Sequence, residues 1–327
     1  MTDLGHGAIV TDPDDVTTKR GASSSSTPPQ FTLGHLVAGR YEIGRVIGVG
    51  GASHVYEAFD TGLGVNVALK VLDPVQAQHA VQLERFRREI QTARKVTHRN
   101  VCRIFDLGVE RVGKRKRFFL TMELLSGSSL DAALRNGRRY TPTEALPIVA
   151  QVAEGLQAAH DAGVVHRDLK PGNIMLVAPL SSGVSPSDTV PRTVITDFGL
   201  AVSHEHTRLT RSDELVGTPA YMAPEQAELG EITAAADIYA LGLIMYEMLA
   251  GVGPFEAGAT PVATVLIRKE VPPLPLRQMV PDVDPRWEAT IHRCLQPEPG
   301  DRFARALDIV ASLSGELPST KSPRSRE

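Results

Sequence analysis

The stretch HRDLKPGN, His166 to Asn173, gathers a carboxylate (Asp168), an ammonium (Lys170) and a carboxamide (Asn173) onto a few residues broken by Pro171-Gly172. The Pro-Gly pair marks a turn. Taken alone, an Asp or Lys in such a place is ordinarily a solvated charge. The wider sequence changes that reading. Downstream stand DFG (Asp197 to Gly199) and APE (Ala223 to Glu225). Upstream, the strand-like VALK ends in Lys70, about twenty residues after the glycines of IGVGGASHVY. A single glycine pattern is weak evidence, because glycine clusters mark ordinary turns. Four motifs in one order are not a chance arrangement.

In this order and spacing the motifs resemble the protein kinase family, over roughly residues 41 to 313. The doubled glycine Gly50-Gly51, the GTPAYMAPE stretch and the compact length are similar to the eukaryotic-like, Hanks-type serine/threonine kinases of bacteria. The resemblance implies an α+β, bilobal fold. Its N-lobe is an antiparallel sheet plus one helix, and its C-lobe is mainly helical. The implied reaction is transfer of the γ-phosphate of ATP, with Mg²⁺ or alternatively Mn²⁺, to protein Ser and Thr hydroxyls.

Phosphoryl transfer needs a positioned acceptor hydroxyl, a triphosphate held in line, and cations that neutralise developing charge. On the resemblance, Asp168 accepts the hydroxyl proton and Lys170 reaches the transferred phosphate. Asp197 and Asn173 are the oxygen ligands for the metal. Lys70 holds the phosphates, with Glu89 as its acidic partner. Ile47, Gly48, Gly50, Gly51 and Ser53 form the loop over the nucleotide, although Ser53 stands where the pattern has a third glycine. Val55 and Ala68 roof the adenine pocket, Met175 or Leu176 floors it, and Met122, Glu123 and Leu125 line its hinge. Lys170 with Thr218 points to Ser/Thr specificity, Thr218 positioning the substrate. Arg167 is placed to pair with a phosphate on the activation segment, where Thr210 and Ser212 match the usual spacing. Autophosphorylation there, in trans within a homodimer, is the implied regulation. Glu225 and Arg302 are expected to form a buried ion pair, and Asp237 to cap backbone near the catalytic loop. His98, His166 and Phe198 read as packing residues.

The rival on the same fold is a nucleotide-sensing or scaffolding module without turnover, supported by Ser53 and Ala52 in the loop. A small-molecule kinase is disfavoured by GTPAYMAPE and the Glu225–Arg302 pair.

Residues 1–38 form a Ser/Pro-rich segment that includes GASSSSTPPQ and lacks the apolar content to offset its ordering entropy. Residues 39–125, with short alternating runs such as SHVYEAFD and NVALKVL, predict the sheet-rich lobe. Within it, AVQLERFRREIQTARKV carries Leu83, Phe86, Ile90 and Ala93 on one helical stripe. Residues 126–313 predict the helix-rich lobe, including a long helix ending at Gly163 and the apolar IYALGLIMYEMLAG as a core helix. APLSSGVSPSDTVPRT interrupts a strand pair as an exposed insertion, and residues 314–327 are a polar tail. The basic run RVGKRKR, Arg111 to Arg117, reads as an exposed hairpin, with docking of an acidic partner as the alternative.

Composition sets the outer bounds. The 327 residues are 42% hydrophobic and 22% charged, with a net charge of -3. That balance gives no electrostatic reason to expect nucleic acid or anionic membrane as a partner. Cys102 and Cys294 stand far apart and in no metal-ligand spacing, which suits a reduced cytoplasmic setting. No stretch reads as a signal peptide or a transmembrane segment.

Overall fold

The computed structural model describes residues 31–49, 54–72, 80–112, 115–177, 190–198, 219–228, 231–256, 258 and 260–316. The chain divides into two compact units: Met1–Arg87 with Arg103–Ser128, and Arg88–Cys102 with Ser129–Glu327.

The first unit is a six-stranded antiparallel sheet: β1 (Leu36–Val37), β2 (Tyr41–Val49), β3 (His54–Asp60), β4 (Val65–Val71), β5 (Ile104–Val112) and β6 (Arg115–Met122), in the order β1-β2-β3-β4-β6-β5. Alternation explains the strands: in β3, His54, Tyr56, Ala58 and Asp60 are buried while Phe59 is exposed. Tyr56, Ile43, Leu69 and Phe119 fill the core on one face. Gly108 lies opposite Phe119 in the register, and a Cβ there would sit 2.1 Å from its ring, so only glycine fits. The β3–β4 turn is pinned by Asp60. Its carboxylate takes Arg40 Nε at 2.8 Å and Nη2 at 2.7 Å, and the amides of Gly62 and Leu63. The Arg40 hydrogen bond, helped by those amides, holds the Asp60 carboxyl below the usual carboxylate range.

The structure moves one boundary. Residues up to 38, expected to be a disordered segment, include an ordered piece from Phe31 onward. Phe31 is buried, its amide donates to Tyr56 Oη at 3.2 Å, and Arg117 lies over its ring at 5.5 Å. Leu36 and Val37 pair with β2. Phe31 and Val37, the buried residues here, stand too far apart to make a strand pattern in sequence; Tyr56 and Arg117, which meet Phe31, come from far along the chain.

Helix α1 (Ala80–Ala93) carries Glu89; of the expected stripe, Ile90 and Ala93 are buried, and the Leu83 and Phe86 side chains lie outside the described set. The second unit holds α2 (Leu130–Arg135), α3 (Pro142–Asp161), α4 (Ala234–Ala250), α5 (Pro261–Leu266), α6 (Leu276–Met279), α7 (Pro285–Cys294) and α8 (Ala306–Ser314). It also holds the hairpin β7 (Ile174–Val177) and β8 (Arg192–Ile195). Thr141 and Glu144 form a reciprocal capping box at the start of α3, and Gly163, at φ +76°, follows its end as expected. Helix α4 is buried on nearly every side, from Ala236 to Ala250, so it is the central helix of its unit. Among the described residues no helix is long and apolar enough to cross a membrane. Of the Ser/Pro-rich insertion at 178–193, residues 178–189 lie outside the described residues, and its last two, Arg192 and Thr193, belong instead to strand β8.

Candidate active site

The loop His166–Asn173 is built on α4. Asp237, in the first turn of that helix and 1% exposed, accepts the His166 amide on Oδ2 at 2.8 Å and the Arg167 amide on Oδ1 at 2.9 Å. His160 of α3 meets the same Oδ2 at 2.7 Å. Burial pushes the Asp237 carboxyl up, but the hydrogen bond and charge of His160, with the contributions of His166, outweigh it. The net position is below the ordinary carboxylate value. An ionised anchor thus sits under the loop. Arg167 needs it, because its φ of +67° is unusual for a residue with a side chain.

His166 locks the loop to β8. The Asp168 amide donates to Nδ1 at 3.3 Å, which leaves the ring proton on Nε2 to donate to the Thr196 carbonyl at 2.8 Å. Phe198 packs against the imidazole at 4.6 Å between ring centres. Both residues are therefore buried packing groups, as expected.

Asp168, Lys170 and Asn173 come together. Lys170 Nζ donates to Asp168 Oδ2 at 2.8 Å. Asn173 Nδ2 donates to the Asp168 carbonyl at 2.8 Å and lies 3.4 Å from the same Oδ2. Among the described residues, no hydrogen bond reaches Asp168 Oδ1. The Asp168 side chain is 33% exposed. Arg167 Nη1 stands 4.0 Å from Glu89 Oε1, at the outer limit of an ion pair.

The hairpin register Ile174↔Ile195 brings Asn173 beside the residues that follow β8. The Thr196 amide donates to the Asn173 carbonyl at 2.8 Å, and Asp197 comes next, at φ +63°. Asn173 Nδ2 is committed to Asp168; its carboxamide oxygen and the Asp197 carboxylate are oxygen donors of the hardness that a divalent cation takes.

In the first unit, Lys70 lies opposite Val55 of β3 and Leu120 of β6, and Ala68 lies opposite Met122. The Glu123 amide donates to the Arg103 carbonyl at 2.9 Å. A Cβ at Gly48 would meet only Val55, at an ordinary 3.6 Å, so strand packing among the described residues accepts a larger residue there. Gly50, Gly51, Ser53, Thr210, Ser212 and Thr218 lie outside the described residues.

The segment after Thr218 shows contacts that local reading missed. Arg268, 3% exposed, donates to the carbonyls of Met222 and Ala220 and stacks over Phe255 at 5.4 Å. Tyr221 Oη donates to Glu247 Oε2 at 2.6 Å. Gln226 Nε2 donates to the Arg167 carbonyl at 2.8 Å. No sequence signal points to these hydrogen bonds, which join residues 26 to 59 positions apart. The pair expected from sequence is present: Arg302 and Glu225 are joined at 2.7 and 2.8 Å.

Comparison with known proteins agrees with this geometry. The family model for the protein kinase domain matches residues 41–312. The chain is 35% identical over 285 residues to the probable serine/threonine-protein kinase PknB of Corynebacterium glutamicum, covering 85% of this chain and 42% of that protein. It is 34% identical over 294 residues to the serine/threonine-protein kinase PknA of Mycobacterium tuberculosis, covering 89% of this chain and 64% of that protein. It thus spans less than two thirds of the length of either relative. The crystal structure of the Mycobacterium tuberculosis PknI kinase domain superposes with a TM-score of 0.68 at 25% identity, covering 88% of this chain and 100% of that one.

Proposed function

The chain belongs to the protein kinase family, in its bacterial Hanks-type serine/threonine branch, and from that premise we propose that it phosphorylates Ser and Thr hydroxyls of proteins, using ATP. The observation that carries this reading is the state of the Asp168 carboxylate: Lys170 and Asn173 both approach Oδ2, and among the described residues no hydrogen bond reaches Oδ1, the oxygen we assign to receive the proton.

The roles follow from the chemistry. Asp168 Oδ1 takes the proton of the acceptor hydroxyl as its oxygen attacks, and the Lys170 ammonium steadies the carboxylate from the far side. Asn173 and Asp197 would hold the divalent cation, Mg²⁺ first and Mn²⁺ as a substitute. ATP with its metal, when bound, supplies the phosphoryl group and neutralises the charge that develops on it. Lys70, held by Glu89, pairs with the phosphates. Ile47, Gly48, Gly50, Gly51 and Ser53 close over them; the tolerance of strand packing at Gly48 is consistent with a glycine kept for the ligand's sake. Val55, Ala68 and Met122 contact the base. Glu123 offers its carbonyl and Leu125 its amide, in keeping with a Glu123 amide already given to Arg103.

Thr218 positions the acceptor. Arg167 receives a phosphate carried by Thr210 or Ser212, added by a second copy of the chain in a transient homodimer. We place the protein in the cytoplasm, supported by Cys102 and Cys294 both being buried thiols.

The test is incubation of the purified protein with labelled ATP, Mg²⁺ and a generic basic protein, followed by phosphosite mapping. Label on Ser and Thr, absent from Asp168→Asn, is the expected result. Nucleotide binding without any transfer would instead make the chain a sensing module.

A further inference from the structure

The backbone at Arg167 is gripped from two sides. Asp237 takes the amides of His166 and Arg167, as described above. The opposite pole of the next peptide unit, the Arg167 carbonyl, is held by Gln226 Nε2 at 2.8 Å. That carbonyl belongs to the peptide bond whose nitrogen is Asp168's own. The same amide side chain reaches backward: Gln226 Oε1 accepts the Ala223 amide at 2.9 Å. A single carboxamide therefore joins the catalytic loop to the turn that ends the activation segment, donating to one and accepting from the other.

Its neighbours in that turn are fastened to other parts of the second unit. Tyr221 bonds Glu247, Arg268 holds the carbonyls of Ala220 and Met222, and Glu225 pairs with Arg302. Among these side-chain ties, the one from Gln226 reaches the loop that bears Asp168. Gln226, Arg167, Asp168 and Asp237 line one small cavity. Hydrogen bonds do the holding. With φ at +67°, Arg167 occupies a conformation that its own side chain disfavours and that relaxes when its restraints are lost.

We infer that Gln226 is a positioning residue for phosphoryl transfer: it sets the Arg167–Asp168 peptide, and through it the direction of the Asp168 carboxylate, in register with the 219–228 turn. Gln226 does not touch substrate. It acts through Asp168, so its loss changes the rate of the step rather than the binding of nucleotide. This inference rests on the kinase reading above.

Three variants separate the two arms of the carboxamide. Gln226→Met removes both arms at similar length. Gln226→Glu keeps an oxygen for the Ala223 amide but sets a carboxylate against the Arg167 carbonyl. Gln226→Lys keeps a donor for that carbonyl and drops the acceptor. For Gln226→Met and Gln226→Glu we expect kcat on a peptide substrate to fall about tenfold, as misplacement of a reacting group by a fraction of an ångström does. KM for ATP should stay within about twofold of the parent. Gln226→Lys should recover most of kcat.

A second measurement needs no turnover. Amide hydrogen exchange of the His166–Leu169 peptide should quicken in Gln226→Met and Gln226→Glu but not in Gln226→Lys. Parent-like kcat and parent-like exchange in Gln226→Met would overturn the inference. So would equal loss in all three variants accompanied by a common drop in melting temperature, which is the mark of a purely structural residue. A parent protein that transfers no phosphate overturns the kinase reading and this inference with it, whereas an active parent with indifferent variants overturns this inference alone.

Discussion

Arg302 closes on Glu225 across 77 residues of sequence, Nη1 to Oε1 at 2.7 Å and Nη2 to Oε2 at 2.8 Å, with the arginine side chain wholly buried. The guanidinium also donates to the carbonyls of Ala235, Gln296 and Pro297 and lies over the Tyr239 ring at 4.7 Å. One side chain thereby ties the 224–227 turn, the start of α4 and the loop after α7 together. Removing it strands a buried carboxylate and three carbonyls. Arg302→Met should lower stability by about 3–5 kcal/mol, the usual result of breaking one side of a buried pair. Equilibrium denaturation in urea checks this, and Glu225→Gln combined with Arg302→Met should be less destabilised than the single arginine variant.

Asp168→Asn should lower kcat by at least ~10²-fold, within the ~10²–10⁴ range of a lost proton acceptor. The fold should survive, because an amide oxygen still accepts from Lys170 where Oδ2 stood. Steady-state kinetics and a thermal melt, run on the same preparation, read the two effects separately.

Glu247 supplies a pH dependence. Burial raises its carboxyl pKa, the Tyr221 hydrogen bond opposes this, and nearby Asp131 adds to it; the net shift is upward. A carboxyl raised in the folded state disfavours folding while ionised. That penalty is present above the folded pKa and fades as pH falls through it. Glu247→Gln, which still accepts from Tyr221, should therefore melt higher than the parent at about pH 8, with the difference shrinking toward about pH 5. Melting curves across that range decide it, and a constant offset would contradict the assignment.

Gly242 lets α4 and α7 approach closely. A Cβ there would stand 2.6 Å from Cys294 Cβ and 3.1 Å from a Leu295 methyl. Gly242→Ala should be destabilising by about 1–3 kcal/mol through overpacking, although alanine is the better helix former. Denaturant midpoints of the two proteins compare these opposed effects directly.

For the glycine loop the expectation comes from sequence. Ser53→Gly should change kcat/KM for ATP by less than about tenfold, since serine is small and its hydroxyl can donate to a phosphate oxygen. Gly50→Val should lower it far more, and kinetics at varied ATP compare them.

The strands of the first unit, the helix ending at Gly163 and the central helix α4 were legible because each is a local matter of side-chain period and chain stops. The ordered stretch at Phe31–Val37 was not, since its burial depends on Tyr56 and a strand pairing that no local pattern announces.

The family and the candidate groups of the loop were readable before any fold, because Asp168, Lys170 and Asn173 fall within one short stretch whose side-chain types and spacing are a property of the chain alone. Tertiary structure decided which oxygen of Asp168 is engaged, that Arg167 takes a positive φ, and that Asp237 and Gln226 hold it there. The holds of Asp237 and Gln226 on Arg167 join groups 70 and 59 residues apart. A hydrogen bond is specified by distance and angle between two atoms, and packing of the helical core around α4 supplies both.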